Sequence, residues 1–234
     1  MAKRPVFFST EEGKNLVEVK MVDFKWFAGM AASQKQKCID SLHQEVQETY
    51  DGIEVLEVSS KSRLELGQSL SAFNLGFTQV KSGNFISIES AFQGSKVFEN
   101  GGPFTELYLK SSLEAKQFFR DKELGVLTCF NFYGQPWELE PHTLFYDWIY
   151  INALYRDIPL ANKVMDYDSF TDIEFNPKKS FNCQARSVAL FVALRRTKQL
   201  AEIIGDPFLY RKLMLSDLDK FPSQYKIPVQ QSLI

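Results

Sequence analysis

The sequence is poor in the residues that build metal centres and covalent staples. Two histidines and three cysteines (Cys38, Cys129, Cys183) lie far apart in 234 residues, so no zinc-ligand spacing can be assembled. An odd, scattered set of thiols argues against a disulfide framework and fits a reducing cytoplasm. No run nears the ~18 apolar residues of a membrane span. The opening Met1-Ala2-Lys3-Arg4 turns acidic before any apolar segment develops, unlike a signal peptide. An excess of positive charge is missing too. With 27 Lys and Arg against 29 Asp and Glu, a generally basic coat for nucleic acid is excluded, though a local patch is not. There is no Gly-x-Gly-x-x-Gly, no phosphate loop, no His-Glu-x-x-His and no Gly-x-Ser-x-Gly. Dinucleotide oxidoreductases, P-loop NTPases, zinc hydrolases and serine hydrolases are thereby set aside.

Aromatic residues are plentiful. The 21 phenylalanines promise large buried ring areas, and a chain of this length buries a sizeable core without staples. Residues 16–26 alternate apolar and charged, which predicts a strand. Cys38, Ile39, Leu42 and Val46 recur at helical spacing and predict a helix over 33–48. Asp51-Gly52 marks a turn, followed by a second strand over 53–60. A hairpin is expected over 71–89 with its turn at Lys81 to Asn84. A helix from Ser87 to Phe98 follows, stopped by Asn100-Gly101-Gly102-Pro103. A strand pair flanks Gly134, helices cover 143–155 and 159–167, and 170–182 runs from strand into turn. The strongest helical pattern occupies 183–200. Residues 206–234 read as a peripheral segment with a short helical piece and a polar end. No repeat, low-complexity tract or linker divides the chain. The reading is α+β, a single domain over 1–234.

Two constellations carry chemistry. On a helix over 87–98, Glu89, Gln93 and Lys96 fall within about 60° of one another, while Ile88, Ala91, Phe92 and Phe98 occupy the core-facing half. Gly94 lies between the two, where a missing side chain admits a ligand or another backbone. The same periodicity is met by an amphipathic helix whose polar stripe is merely solvated. In the second constellation, Asp172 and Glu174 alternate with Ile173 and Phe175 and would leave one strand face. Ser180 or Asn182 can cap the next helix. Lys178, Lys179 and Arg186 flank a helix start suited to phosphate or diphosphate, or to a solvated basic turn.

The segment Glu89-Ser90-Ala91-Phe92-Gln93-Gly94-Ser95-Lys96-Val97-Phe98 resembles the Glu-x-x-Phe-Gln-x-x-Lys-x-Phe helix of the NADAR superfamily, the YbiA-like N-glycosidases. Leu70 to Asn74 is similar to that family's Phe-Ser-Asn-Phe strand motif. Phe170-Thr171-Asp172 stands where the family has Trp-Gly-Asp, and Asn182 to Ser187 where it has a Gly-Lys-Asn-Arg-Leu-Gly helix start. The four matches keep the family's order and mark a core over 70–195, preceded by a strand–helix–strand extension. The whole-chain pattern resembles the branch found beside DarT-type toxins, which transfer ADP-ribose from NAD to guanine bases in DNA.

That resemblance implies a single NADAR domain acting as an ADP-ribosyl glycohydrolase and antitoxin, without metal or cofactor. Its substrate would be ADP-ribosylated guanine in DNA, its product ADP-ribose, and its possible partner a cognate DarT-type toxin, all in the cytoplasm and away from membranes. The resemblance makes Glu89 and Lys96 catalytic. It places Ser71, Phe73, Asn74, Gln93, Phe170, Asp172, Glu174, Lys178, Lys179, Asn182, Gln184 and Arg186 around the ligand. Cleaving a base–ribose bond builds oxocarbenium character, which a carboxylate such as Glu89 stabilises. Lys96 either anchors the diphosphate or attacks the anomeric carbon. Two other readings fit the same residues. One is an N-glycosidase of a small metabolite such as a phosphorylated riboflavin precursor. The other is a non-catalytic immunity module that binds its toxin through a Phe-rich patch.

Overall fold

Residues 1–11, 15–178 and 180–218 are described by the computed structural model. The first half of the chain forms β1 (Ala2–Ser9), β2 (Val17–Phe24), α1 (Ala32–Thr49), β3 (Val55–Glu57), α2 (Glu65–Ser69), β4 (Gly76–Thr78), β5 (Phe85–Ser87), α3 (Ile88–Gly94), β6 (Lys96–Phe98) and α4 (Ser112–Gln117). The second half forms β7 (Leu127–Phe132), β8 (Gln135–Trp137), α5 (Leu144–Arg156), α6 (Ile158–Lys163), β9 (Ser169–Thr171), α7 (Gln184–Arg196), α8 (Leu200–Ile203) and α9 (Pro207–Leu218).

Val6, Phe7 and Phe8 are all buried, so β1 is covered on both faces. Val6 and Phe8 pack with Val22 and Phe24 against Cys38, Ile39, Leu42 and Val46 of α1. Phe7 points the other way, into the cluster that contains Leu56, Phe170 and the helices α5 and α7. The resulting sheet has the order β2-β1-β9-β3 and lies between α1 and α7. β1 runs antiparallel to β2 over its whole length, and β9 pairs antiparallel with β1 and parallel with β3. The strand β1, which contains Pro5, is not among the elements expected from sequence. The proline is tolerated since β9 reaches only Phe7 and Phe8, which leaves the β9-facing edge at Pro5 unpaired. The N-terminal extension therefore supplies three of the four strands of the main sheet, with β9 inserted between β1 and β3.

α5 is buried from Leu144 to Leu154 and α7 is buried at nearly every position from Ala185 to Leu194. Helices buried on nearly all sides belong in the centre, and these two form the axis of the fold. A hairpin β4-β5 and a three-stranded sheet β6-β7-β8 pack beside them. The fold is α+β, and the described residues form no closed barrel.

Two local expectations are corrected. The helix that begins at the Ser87 cap, whose hydroxyl accepts from the Ser90 N–H at 3.1 Å, ends at Gly94 rather than Phe98. Tertiary partners claim the backbone beyond it. Asn131 donates to the Ser95 carbonyl at 2.7 Å, and Lys96 and Val97 pair with Phe130 and Cys129 as a strand. Gly94 itself admits neighbours: a Cβ there would lie 2.6 Å from the Tyr108 ring and 3.0 Å from the Phe104 carbonyl oxygen.

The C-terminal part is also less peripheral than expected. Tyr210 of α9 is fully buried, its ring against Trp137 and Trp148 and its hydroxyl donating to the Leu144 carbonyl at 3.1 Å. Residues 219–234 lie outside the described residues.

Candidate active site

Glu89 occupies the first turn of α3, where a carboxylate is favoured by the free N–H groups and the helix dipole. Its own N–H donates to the Ala72 carbonyl at 2.9 Å, which ties α3 to the turn holding Ser71 and Phe73. One turn on, Gln93 Nε2 donates to Glu89 Oε1 at 2.9 Å. That leaves Gln93 Oε1 buried without a protein partner. Ser71 Oγ and Asn182 Oδ1 are buried and unpartnered in the same way. Buried polar atoms are nearly always satisfied; these three are among six such atoms in the described residues, the others being Arg4 Nε, Asn15 Oδ1 and Trp137 Nε1.

Lys96 reaches this region from β6. Its Nζ lies 5.4 Å from the Phe92 ring centroid and 5.1 Å from that of Phe119. Burial lowers its pKa from the usual 10.5 to about 8, against the opposing pull of the Glu89 carboxylate. The rings hold the ammonium by their faces, but they also strip its water, and desolvation wins. Tyr146 of α5 completes the group. It stands edge-on to Phe92, with centroids 5.4 Å apart. Its hydroxyl is pushed well above the ordinary phenol range by burial and, next, by the negative charge of Glu89.

The remaining sequence-predicted residues fall into different settings. Asp172 is buried, in a turn just beyond β9, and its Oδ1 accepts from the N–H groups of Glu174 and Phe175 at 2.9 and 3.1 Å. Glu174 is exposed and pairs with Lys35 at 3.0 Å. The shared strand face expected for these two carboxylates is not formed, because the strand ends at Thr171. Phe170 is fully buried in the sheet. Leu70 to Asn74 is a turn after α2, not a strand. Within it Phe73 is 39% exposed, with Lys116 Nζ 5.5 Å from its ring, and Asn74 Nδ2 donates to the Gln68 carbonyl.

Neither Ser180 nor Asn182 caps α7. The cap position is Cys183, which offers no side-chain bond. Gln184 instead stitches three segments, accepting from the Ala72 N–H at 2.8 Å and donating to the Val58 carbonyl at 2.6 Å. Arg186 is ion-paired with the buried Asp147. Lys178 is exposed on its turn, and Lys179 lies outside the described residues. A separate concavity of about 450 Å³, lined by Tyr155, Ile158, Arg195 and Lys198 among others, shares no residue with the Glu89 group.

Tyr146, Phe119 and Glu57 were missed by sequence reasoning. Tyr146 is hidden in a helix buried along almost its whole length, and Phe119 lies in a polar stretch with no periodic signal. Their roles come from packing alone.

An α+β fold with Glu89, Gln93 and a desolvated Lys96 at the junction of a short helix and a strand defines a NADAR-type protein. Residues 2–222 match the family model of DarT1-associated NADAR antitoxins, and the chain belongs to that family. No curated protein matches it. Among the described residues no helix is long and apolar enough to cross a membrane.

Proposed function

We propose that the protein is an ADP-ribosyl N-glycohydrolase that removes ADP-ribose from guanine bases in DNA, reversing in the cytoplasm the modification made by a DarT-type toxin. Membership of the antitoxin family supports the role. The observation that carries the chemistry is the packing of Lys96 Nζ against the Phe92 and Phe119 rings, where desolvation lowers its pKa to about 8 and favours a neutral, nucleophilic amine.

In this reading the neutral Nζ attacks the anomeric carbon, and the C–N bond to guanine breaks with its electron pair going to the base nitrogen. The base leaves as it takes up a proton, and the attacking nitrogen passes its own proton to Glu89. Opening of the ribose ring, with a proton delivered to the ring oxygen, yields a Schiff base. Water then adds to that carbon, and collapse releases ADP-ribose and the free amine, so one water is consumed overall. Glu89 also stabilises the oxocarbenium character between these states, and Gln93 Oε1 accepts from a sugar hydroxyl.

The test is incubation with an ADP-ribosylated oligonucleotide, monitoring free ADP-ribose and restored guanine. Release of both is expected, together with a borohydride-trapped sugar on Lys96. No release from the oligonucleotide, but turnover of a phosphorylated riboflavin precursor, would reassign the substrate. Stoichiometric binding to the toxin without any release would make the protein a non-catalytic immunity module.

A further inference from the structure

We propose that Glu57 is a positioning residue that clamps the Asp172 turn, and that Asp172 meets the ligand as a neutral acid, donating a hydrogen bond instead of presenting a negative charge. The nature of the ligand rests on the glycohydrolase reading. The clamp and the proton do not.

Glu57 ends β3 and is 2% exposed. It pairs in register with Thr171, and the next residue, Val58, donates to the Thr171 carbonyl at 2.8 Å. Glu57 Oε2 accepts from the Thr171 hydroxyl at 2.6 Å. Its Oε1 accepts from the Ile173 N–H at 2.9 Å and the Ser59 hydroxyl at 2.6 Å. The two chain neighbours of Asp172 are thus gripped by the two oxygens of one carboxylate. The Thr171 hydroxyl, committed as a donor to Glu57, accepts from His43 Nε2 at 2.8 Å. Burial holds the His43 pKa down to about 4, so its imidazole is neutral with the proton on Nε2.

Two carboxyl groups buried side by side do not both ionise readily. The hydrogen bonds decide which one keeps the charge. Glu57 takes three donors, two of them short bonds of the kind made to an anion. Asp172 takes two backbone donors on Oδ1 alone, and its Oδ2 has no hydrogen-bond partner among the described residues. Burial and the Glu57 charge push Asp172 far above the ordinary carboxyl range.

The groups that face Asp172 do not oppose this. They are Glu57 from β3, Glu174 from its own turn, Tyr146 and Tyr150 from α5, and Cys183 ahead of α7. None is a cation, and Lys35 of α1 is held by Glu174. The pKa of the Tyr146 hydroxyl is raised by burial and then by Glu89, with Asp172 the smallest contributor. An ionised Asp172 would repel a diphosphate, whereas a neutral acid donates to a phosphate or ribose oxygen.

A carbon-13 carboxyl titration of the full chain, with Asp172→Asn assigning the signal, tests the proton directly. Asp172 is expected to remain protonated at pH 7, and Glu57→Gln to move its midpoint to lower pH by removing the charge that raises it. A carboxylate signal for Asp172 at pH 6 would overturn the proposal, whatever the enzyme does to DNA. If Glu57→Gln fails to fold, the wild-type titration alone still decides.

Affinity for ADP-ribose tests the donation. Asp172→Asn, which keeps an N–H donor, should hold the Kd within about threefold, and Asp172→Ala should raise it about tenfold. Equal losses in both would show that a carboxylate is used. Absence of ADP-ribose release by the wild type would fall on the glycohydrolase reading and leave the titration result standing.

Discussion

Among the described residues Lys96 meets the rings of Phe92 and Phe119 and feels the charge of Glu89, so its role can be separated by substitution. Arginine keeps the charge but has no usable neutral form. Lys96→Arg should lower kcat by about 10³-fold with ADP-ribose affinity retained if the amine is the nucleophile. Retention of most of the rate would make Lys96 a phosphate anchor. Glu89→Gln preserves volume and should cost about 10²–10⁴-fold in kcat with binding intact, read by single-turnover assays. His43 gives a second residue-scale expectation, for stability. Its pKa is about 4 in the fold, lowered by burial, and about 6.5 in an unfolded chain. Between those values the unfolded chain binds a proton that the fold refuses, so stability falls as pH drops from about 6.5 to about 4, by up to ~3 kcal/mol. His43→Gln keeps a hydrogen bond to Thr171 without titrating and should flatten that slope in urea unfolding. An unchanged slope would place its source elsewhere.

At the scale of elements, the break between α3 and β6 is what aims Lys96. Gly102 supports that break. Its φ is +106°, and a Cβ there would lie 2.3 Å from the Lys96 carbonyl oxygen and 3.0 Å from Val97 Cα, both backbone atoms unable to swing aside. Gly102→Ala should therefore destabilise by about 1–3 kcal/mol and reduce kcat by displacing Lys96. Gly134 makes a control. Its φ is also positive, +84°, but a Cβ there meets nothing within 4 Å, so Gly134→Ala should cost about 1 kcal/mol and leave kcat alone. Equal kinetic effects in the two variants, measured with thermal melts alongside, would dissociate the Gly102 contact from the site.

At the scale of the whole molecule, β1 and α9 are both structural. β1 joins β2 to β9, and Tyr210 of α9 closes the aromatic cluster of Trp137 and Trp148. Tyr210→Ala should cost about 3–5 kcal/mol through the cavity and the lost hydrogen bond to Leu144, read as a lower urea midpoint. A loss below about 1 kcal/mol would return α9 to the peripheral place its sequence suggests.

The amphipathic α1, the central helices α5 and α7, the β4-β5 hairpin and the strand pair around Gly134 follow from the linear pattern, because each depends on residues within a few positions of one another. The residue types of the Glu89, Gln93 and Lys96 group are visible there too, yet the single helical stripe that would unite them does not exist. Glu89 and Gln93 share α3, whereas Lys96 arrives on a strand. That difference was decided by Asn131 and Phe130, more than thirty residues away in the chain, which took the backbone groups the helix would have used. The same holds for Phe119 over Lys96, Tyr146 beside Glu89 and Glu57 around Asp172. Desolvation, ring contact and carboxyl pairing are properties of neighbours in space, so tertiary structure alone assigned them.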